Sequence, residues 1–329
     1  MTTLQTTMPN YGRRRIVDLL MRGFTVTATG LAIIPLVLII GYVLVVGGGA
    51  MSVDFFTKTY EPPVAVDAGS GGIDPTTGLP LDFALPGAET DATSAPTAQG
   101  IDPSNVQARG GVIHGIVGTL MVTLIALLIS LPIGILAGIF LSEYPDNLLA
   151  TFIRFCSDVL SGAPSIVIGV VGYVLLVRTT KTYSGIAGSA ALTFLMVPTI
   201  TRTTEEILKL VPNAVREAAM AMGAPTWYGT LTVVVPTALS GIVTGALLAF
   251  ARGAGETAPL LLTIQGNSNL SFNLLQPIAA LPLLTYRYIE SPFPAENQLA
   301  WGTAFVLMML VLLVNLAVRL VTNRLKGGA

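Results

Sequence analysis

The sequence predicts an all-α, polytopic membrane protein with six transmembrane helices. Only 11% of its 329 residues are charged and the mean hydropathy is +0.74, whereas a soluble domain averages about 25% charged residues. Several apolar runs are also long enough to cross a hydrocarbon core of about 30 Å. One cysteine and one histidine exclude an intramolecular disulfide and argue against a His-rich metal site. We therefore expect no metal and no cofactor bound by this chain.

The first predicted span, residues 24–46, follows an N-terminal segment, residues 1–23, that we expect to be cytoplasmic. This segment is basic, and positive charge is typical of the cytoplasmic side of a span. A cleaved signal peptide is the alternative, but the apolar region of a secretory signal is about 7–15 residues long. Because the apolar run here is longer, we expect the first span to stay in the membrane.

Residues 47–110 differ in kind, because they are acidic and, between 61 and 102, dense in Pro, Gly, Ala, Ser and Thr. Such a stretch cannot bury enough apolar surface to offset its chain entropy. We expect an extracytoplasmic loop that is largely disordered. It is either an insertion without a role or a docking segment for a basic partner.

Five further apolar segments make up a predicted transmembrane domain, residues 111–322, which is followed by a cytoplasmic tail, residues 323–329. Prolines within these segments are tolerated where neighbouring helices satisfy the freed carbonyl groups. The shorter apolar segment 274–284 has a length that fits an interfacial or re-entrant segment. The predicted spans are residues 112–141, 159–177, 185–203, 238–264 and 300–321.

The distribution of lysine and arginine predicts the topology. With both termini in the cytoplasm, most basic residues fall in cytoplasmic segments, as the positive-inside rule requires. This places residues 205–237, which we name the Glu217 loop, in the cytoplasm between the fourth and fifth spans. His114, at the outer start of the second span, is expected to be an interfacial residue.

The Glu217 loop is predicted to be a docking segment for a cytoplasmic partner. Its small side chains allow another backbone to come close, and its glycine allows a chain reversal after a short helix. Pro225 and Pro236 argue against one continuous helix, so two short helices at an angle are expected. At the start of the loop, we expect a solvated helix face formed by Glu205, Glu206 and Lys209. The residues expected to contact the partner are Glu217, Ala218, Ala219, Gly223 and Pro236.

Two charged residues, Arg252 and Glu256, fall inside the predicted fifth span. An arginine at a span centre costs roughly 2.5–3.5 kcal/mol on insertion scales, so it should face a cavity or a partner rather than lipid. A spacing of four residues places both on one helix face. They form either a structural ion pair or part of an anion pathway, to which Thr257 adds a hydroxyl group. Arg202, after the fourth span, either snorkels to lipid headgroups or lines the inner mouth of that pathway.

An anion pathway would suit phosphate, because a guanidinium group matches phosphate oxygens in pairs. Phosphate near neutral pH also retains a proton, so Glu256 can accept a hydrogen bond from it, whereas sulfate offers no such donor. Arginine alone does not choose among oxyanions, and sulfate, molybdate and phosphonate remain alternatives. A secondary anion transporter is another alternative. For a membrane-embedded enzyme we find no catalytic constellation, such as a His pair or a Gly-x-Ser-x-Gly motif.

Several motifs resemble a single family. The Glu217 loop has the pattern Glu-Ala-Ala, three residues, Gly, nine residues, aliphatic-x-aliphatic-Pro, which looks like the coupling loop of ABC importer permeases. The run RGAGETAPLLL is more specific. Together the motifs resemble the PstA family of phosphate ABC importer permeases. The segments that carry this resemblance are residues 110–120, 158–169, 202–206, 217–236 and 252–262.

The resemblance implies a MetI-like ABC importer permease fold and the import of inorganic phosphate across the plasma (inner) membrane. It implies a heterodimer with a PstC-like sister permease, a dimer of PstB-like ATPase subunits that binds the ATP, and a PstS-like phosphate-binding protein. The residues agree in one respect: the chain contains no Gly-x4-Gly-Lys-Ser/Thr sequence, so any ATP hydrolysis must come from another chain. Besides these proteins, the lipid bilayer and phosphate, we expect no nucleic-acid partner.

Overall fold

The computed structural model describes residues 11–65 and 106–327, which form a bundle of helices and a two-stranded antiparallel sheet. The first half of the described chain contains α1 (Tyr11–Tyr42, continued by a π-helical stretch Val43–Gly47), α2 (Val53–Thr57), β1 (Tyr60–Ala65), β2 (Val106–Gly110), α3 (Ile113–Glu143), α4 (Leu148–Gly162), α5 (Ser165–Gly172, continued by a π-helical stretch Tyr173–Val177) and α6 (Arg178–Thr180). The second half contains α7 (Gly185–Lys209), α8 (Asn213–Ala221), α9 (Thr226–Gly229, continued by a π-helical stretch Thr230–Val234), α10 (Val235–Ala254), α11 (Ala258–Thr263), α12 (Leu281–Ile289) and α13 (Pro294–Gly327). The predicted all-α class is confirmed, with the two-stranded sheet as an addition.

The centre of the bundle is formed by α3 and α7, which run parallel to each other. The Ser189 hydroxyl of α7 donates a hydrogen bond of 3.0 Å to the Val122 carbonyl of α3. Four turns further along, the two helices touch again at Gly138, where a Cβ atom would lie 2.6 Å from Thr204. Because only a glycine fits at that distance, the backbones can approach closely along their whole shared length.

The second long contact of α7 is with α10, which runs antiparallel to it. Gly253 near the end of α10 lies against Met196, and Gly241 near its start lies against Ile207. The largest buried cluster fills the space between these helices and α3, and it includes Phe250, which is 1% exposed. The packing fixes the relative heights of residues on α7 and α10.

The predicted third span, residues 159–177, is not one straight helix. The chain bends by 104° between α4 and α5, and Ala163 at the bend has φ −69° and ψ 135°. Pro164 explains the break, because a proline pushes the preceding residue out of the helical region. The amphipathic helix α4 therefore lies across the bundle, and α5 and α6 bring the chain back to the start of α7.

The predicted fifth span, residues 238–264, is also wrong as a single helix. A continuous helical segment runs from Thr226 to Ala254, which is twelve residues earlier than expected at its start, and α11 is separate. Pro259 accounts for the interruption, because its ring clashes with the carbonyl of Gly255, four residues before it. The break falls within the motif that the sequence analysis placed inside the span.

By length and composition, four helices within the described residues could cross a membrane, and a fifth if the bent pair of α4 with α5 and α6 counts as one span. The four segments are Arg14–Gly47, Ile113–Glu143, Thr226–Ala254 and Pro294–Thr322. The helix α7 occupies the predicted fourth span but is not among them, because it contains several Ser, Thr and Pro residues and ends in charged ones. The count of six spans therefore stays a prediction.

The described parts of the loop 47–110 are ordered. Strands β1 and β2 pair antiparallel with Tyr60 opposite Gly110, and Phe55 of α2 is buried against Gly302 of α13. The expectation of disorder for residues 66–105 lies outside the described residues. We call the end of the bundle beside β1 and β2 the strand end, and the opposite end, where α7 ends, the Glu217 end.

Candidate functional site

The Glu217 loop contains one short helix, α8, followed by a tight reversal at Gly223. The Gly223 amide donates to the Met220 carbonyl at 2.9 Å, and the Ala224 amide donates to the Ala219 carbonyl at 3.3 Å. These two bonds are those of a Schellman motif, which caps the last carbonyl groups of a helix. Gly223 has φ +83°, a left-handed conformation that a residue with a side chain adopts only with strain. The predicted chain reversal is thus present.

The surface of the loop is exposed and partly apolar. Glu217 and Ala218 are exposed, and Ala219 is half-buried. Beside them, Met222 is 88% and Trp227 is 62% exposed, which is unusual for large apolar side chains that face water. The arrangement suits a surface that another protein covers.

Pro236 does not break the helix, contrary to the expectation of two short helices. The helix that starts at Thr226, after Pro225, continues through Pro236 into α10. It does so because the preceding stretch Thr230–Val234 is π-helical, and such a wider turn accommodates a residue without an amide hydrogen. Of the two prolines, only Pro225 marks a helix boundary.

Arg216, which the sequence analysis did not single out, anchors α8 to the bundle. Its Nη2 atom donates a hydrogen bond of 3.0 Å to the Leu208 carbonyl of α7 and one of 3.4 Å to the Ser142 hydroxyl of α3. The same nitrogen lies 3.1 Å from Glu143 Oε1, an ion pair by distance although its angle does not make a hydrogen bond. Both charged side chains are less than 20% exposed, at 19% and 18%. One side chain thus connects the Glu217 loop to both central helices.

The expected solvated face at the start of the loop is only partly correct. Glu206 is 63% exposed at its side chain, but Glu205 is 2% exposed. Its Oε1 atom accepts hydrogen bonds of 2.9 Å from Arg154 of α4 and 2.6 Å from Lys209. The buried carboxylate therefore holds the crossing helix α4 against the end of α7. The sequence could not reveal this contact, because its partners are 51 residues apart.

Arg252 and Glu256 form the predicted pair across a helix break. Arg252 lies in the last turn of α10, and its Nε atom is 3.8 Å from Glu256 Oε1. The arginine side chain is 44% exposed and the glutamate 18%, so the guanidinium group faces away from the bundle core. Thr257 is half-buried at the start of α11 and makes no side-chain capping bond there.

Arg202 lies on α7 closer to the Glu217 end. It pairs with Glu206 at 3.1 Å and with Glu205 at 3.8 Å, and it is 48% exposed. Because Met196 lies beside Gly253 and Thr203 beside Gly245, Arg202 and Arg252 are about one and a half helical turns apart along the bundle, roughly 8 Å. The structure therefore places the two arginines at separate levels rather than in one pocket.

The motif around Arg252 packs against the motif at the start of α5. A Cβ atom on Gly169 would lie 2.8 Å from the Cα atom of Pro259, so the two segments are in direct backbone contact. Within the described residues, no group of three or more His, Cys, Asp or Glu side chains could hold a metal ion. The candidate site is thus built from arginines, carboxylates and hydroxyl groups.

Comparisons with known proteins define the class. Residues 130–327 match the family model described as "Binding-protein-dependent transport system inner membrane component". A solved structure of the MetNI methionine ABC transporter, in an inward-facing conformation, superposes with a TM-score of 0.55 at 21% identity, covering 65% of this chain and 95% of that one. The chain belongs to the membrane components of binding-protein-dependent transport systems, and its fold is that of an ABC importer permease.

More similar relatives narrow the family. The phosphate transport system permease protein PstA of Haemophilus influenzae is 44% identical over 213 residues, 64% of this chain and 76% of the relative. PstA of Xylella fastidiosa strain Temecula1 is 42% identical over 244 residues, 74% and 83% of the two chains. PstA 1 of Mycobacterium tuberculosis H37Rv is 36% identical over 217 residues, 65% and 70%. The chain is a member of the PstA family of permease proteins.

Proposed function

We propose that this chain is the membrane-spanning permease subunit of an ATP-driven importer that carries inorganic phosphate across the plasma membrane. Membership of the PstA family supports the substrate, since the relatives are named phosphate transport permeases. The geometry of the Glu217 loop is the observation that supports coupling of transport to a separate ATPase. Its exposed α8 ends in a capped reversal at Gly223 and is tied to both central helices by Arg216.

The conformational change is driven by a separate pair of ATPase subunits. These subunits contact Glu217, Ala218, Ala219 and Gly223. When these subunits close on ATP, they displace α8, and Arg216 transmits the displacement to α3 and α7. The exposed apolar side chains around Met222 form the surface against which the partner packs. Pro236 acts indirectly, as part of the helix that leads from the loop to α10.

The substrate pathway runs past Arg252 and then Arg202. An arginine that is 44% exposed on a membrane helix is costly against lipid, which supports a position facing a pathway shared with a sister permease. The Arg252 guanidinium group donates hydrogen bonds to two phosphate oxygens, and Glu256 accepts a hydrogen bond from the P–OH group. Thr257 provides a hydroxyl group nearby. Glu256 also neutralises Arg252 while the pathway is empty.

The topology and the partners follow from this mechanism. The Glu217 end is cytoplasmic together with both termini, and the strand end faces outside, where a PstS-like protein delivers phosphate. A PstC-like sister permease completes a heterodimer, and a PstB-like dimer supplies the ATPase activity. A structural ion pair at Arg252, or another oxyanion such as sulfate, molybdate or phosphonate, is the competing interpretation.

Reconstitution tests the proposal. The chain is assembled with a sister permease and an ATPase dimer in proteoliposomes that contain ATP, and phosphate uptake is measured with the binding protein outside. We expect vanadate-sensitive uptake of phosphate that sulfate does not inhibit. Uptake that follows an ion gradient without ATP would instead indicate a secondary transporter, and inhibition by sulfate at equal concentration would indicate a broader oxyanion permease.

A further inference from the structure

A polar cavity lies at the strand end of the bundle, away from Arg252 and Arg202. Its volume is about 220 Å³. Its walls come from the first residue of β1, the first turns of α3 and α13, the last turn of α12 and the loop before α12. The polar side chains that matter for its chemistry are those of Tyr60, His114, Asn267, Ser268, Arg287 and Glu296.

His114 is the feature that indicates a ligand. His114, which we expected to be an interfacial residue, is buried inside the protein and is only 2% exposed. Neither of its ring nitrogens has a hydrogen-bond partner, although the side chain lines the cavity. Buried polar groups are nearly always hydrogen-bonded. Both nitrogens are closed off from solvent in this arrangement, so a small rotation of the ring would bring one of them to a polar occupant of the cavity.

The charges around the cavity narrow the class of ligand. Arg287 places a guanidinium group at the wall, where it also donates to the Gln265 carbonyl. Opposite in sign, Glu296 is 7% exposed and accepts a hydrogen bond of 3.2 Å from the Tyr60 hydroxyl. A bare divalent cation would be repelled by the arginine and would find a single carboxylate. An anion without protons would be repelled by Glu296, whereas a protonated oxyanion can use both charges.

We propose that this cavity binds inorganic phosphate in a protonated form, as a loading site distinct from the Arg252–Glu256 pair. Phosphate oxygens accept hydrogen bonds from Arg287 and from an N–H of His114, and a P–OH group donates to Glu296. Asn267 and Ser268 add neutral donors. The inference rests on the proposed function, since the proposed topology places the strand end outside.

Direct binding tests the site in the assembled importer. The complex is placed in lipid nanodiscs without nucleotide or binding protein, and binding of radiolabelled inorganic phosphate is measured at equilibrium. To remove the other candidate site, all variants carry Arg252→Ala. In this background we expect saturable phosphate binding, and we expect Arg287→Ala and His114→Leu each to weaken it at least tenfold. His114→Gln, which retains a donor, should weaken it less than His114→Leu.

Matched controls come from charged residues outside the cavity wall. Arg178→Ala and Glu290→Gln remove the same charges from exposed positions and should leave phosphate binding unchanged. Glu296→Gln should admit sulfate, which the parent excludes at least tenfold relative to phosphate. Elution of each complex at the size of the parent shows that the variants are assembled.

Three results would overturn the inference. The first is absence of saturable phosphate binding in the Arg252→Ala complex, which would leave water as the occupant. The second is a phosphate affinity of Arg287→Ala and His114→Leu equal to that of the background complex. The third is binding of sulfate by the parent as tight as that of phosphate. Phosphate uptake by the complex with an intact Arg252 is measured in parallel. Normal uptake with any of these three results refutes the loading site alone, whereas absence of uptake by the unaltered complex refutes the proposed function.

Discussion

Removal of the Arg216 side chain should uncouple ATP hydrolysis from phosphate uptake. Arg216→Met keeps an aliphatic chain of similar length but removes the guanidinium group that contacts Leu208, Ser142 and Glu143. The helix α8 remains exposed to the proposed ATPase partner, so hydrolysis should continue. What is lost is the polar connection between α8 and the two central helices.

The expected magnitude follows from the strongest of these contacts. A hydrogen bond with a charged donor contributes about 1.5–3 kcal/mol, and Arg216 is only 19% exposed, so solvent screens the Leu208 bond weakly. Loss of that bond shifts the equilibrium between docked and detached α8 by roughly 10- to 150-fold. We expect phosphate uptake per ATP hydrolysed, measured in proteoliposomes, to fall at least tenfold.

Two further variants bracket the effect. Glu143→Gln removes the ion pair but leaves the Leu208 bond, so its loss of coupling should be smaller than that of Arg216→Met. Arg22→Met breaks an exposed ion pair with Asp18, at 78% and 63% exposure, and should leave the coupling ratio unchanged because such pairs contribute little. An unchanged ratio of uptake to hydrolysis in Arg216→Met would refute the connection through Arg216.

Four other substitutions test three separate parts of the structure. Gly223→Val forces a β-branched residue to φ +83°, which costs about 1–2 kcal/mol or more. Phosphate uptake should fall severalfold while the chain still inserts in the membrane. The control Gly23→Val, at a position with no atom nearby, should behave as the parent. Glu205→Gln removes a buried charge from three cationic partners, Arg154, Lys209 and Arg202, and should destabilise the complex by about 1.5–3 kcal/mol, seen as a lower melting temperature. The exposed Glu206→Gln should change the stability by less than about 0.5 kcal/mol. Arg252→Ala and Glu256→Gln should each reduce phosphate uptake at least tenfold with ATPase activity retained; normal uptake in both would leave only a structural ion pair.

The parts of the structure that the sequence predicted correctly depend on residues close together in the chain. Gly223 follows a short helix, so the reversal could be inferred from the glycine itself. Arg252 and Glu256 are four residues apart, and they pair even though the helix ends between them. Pro164 and Pro259 lie at the two helix breaks, but whether a proline bends a span, interrupts it or, like Pro236, leaves it continuous depends on the surrounding packing.

The contacts that the sequence did not predict join residues far apart in the chain. In the sequence, Glu205 is one of several charged residues in a polar segment. Only the contact with Arg154 shows that its buried carboxylate holds α4 against α7. His114 was expected at the membrane interface because it starts a span, yet the cavity beside it is lined by Tyr60 and Glu296, which lie 236 residues from each other. No local pattern reports such a contact, because it exists only once the helices have packed.

The unbroken passage of the backbone through Pro236 has a mechanical consequence. Helical structure from Thr226 to Ala254 amounts to a stiff rod of about 40 Å, with Trp227 at its foot and Arg252 near its tip. If the foot tilts by about 5°, the tip sweeps through roughly 3–4 Å. A small displacement at Trp227 would thus be magnified at Arg252 within a single continuous helical segment.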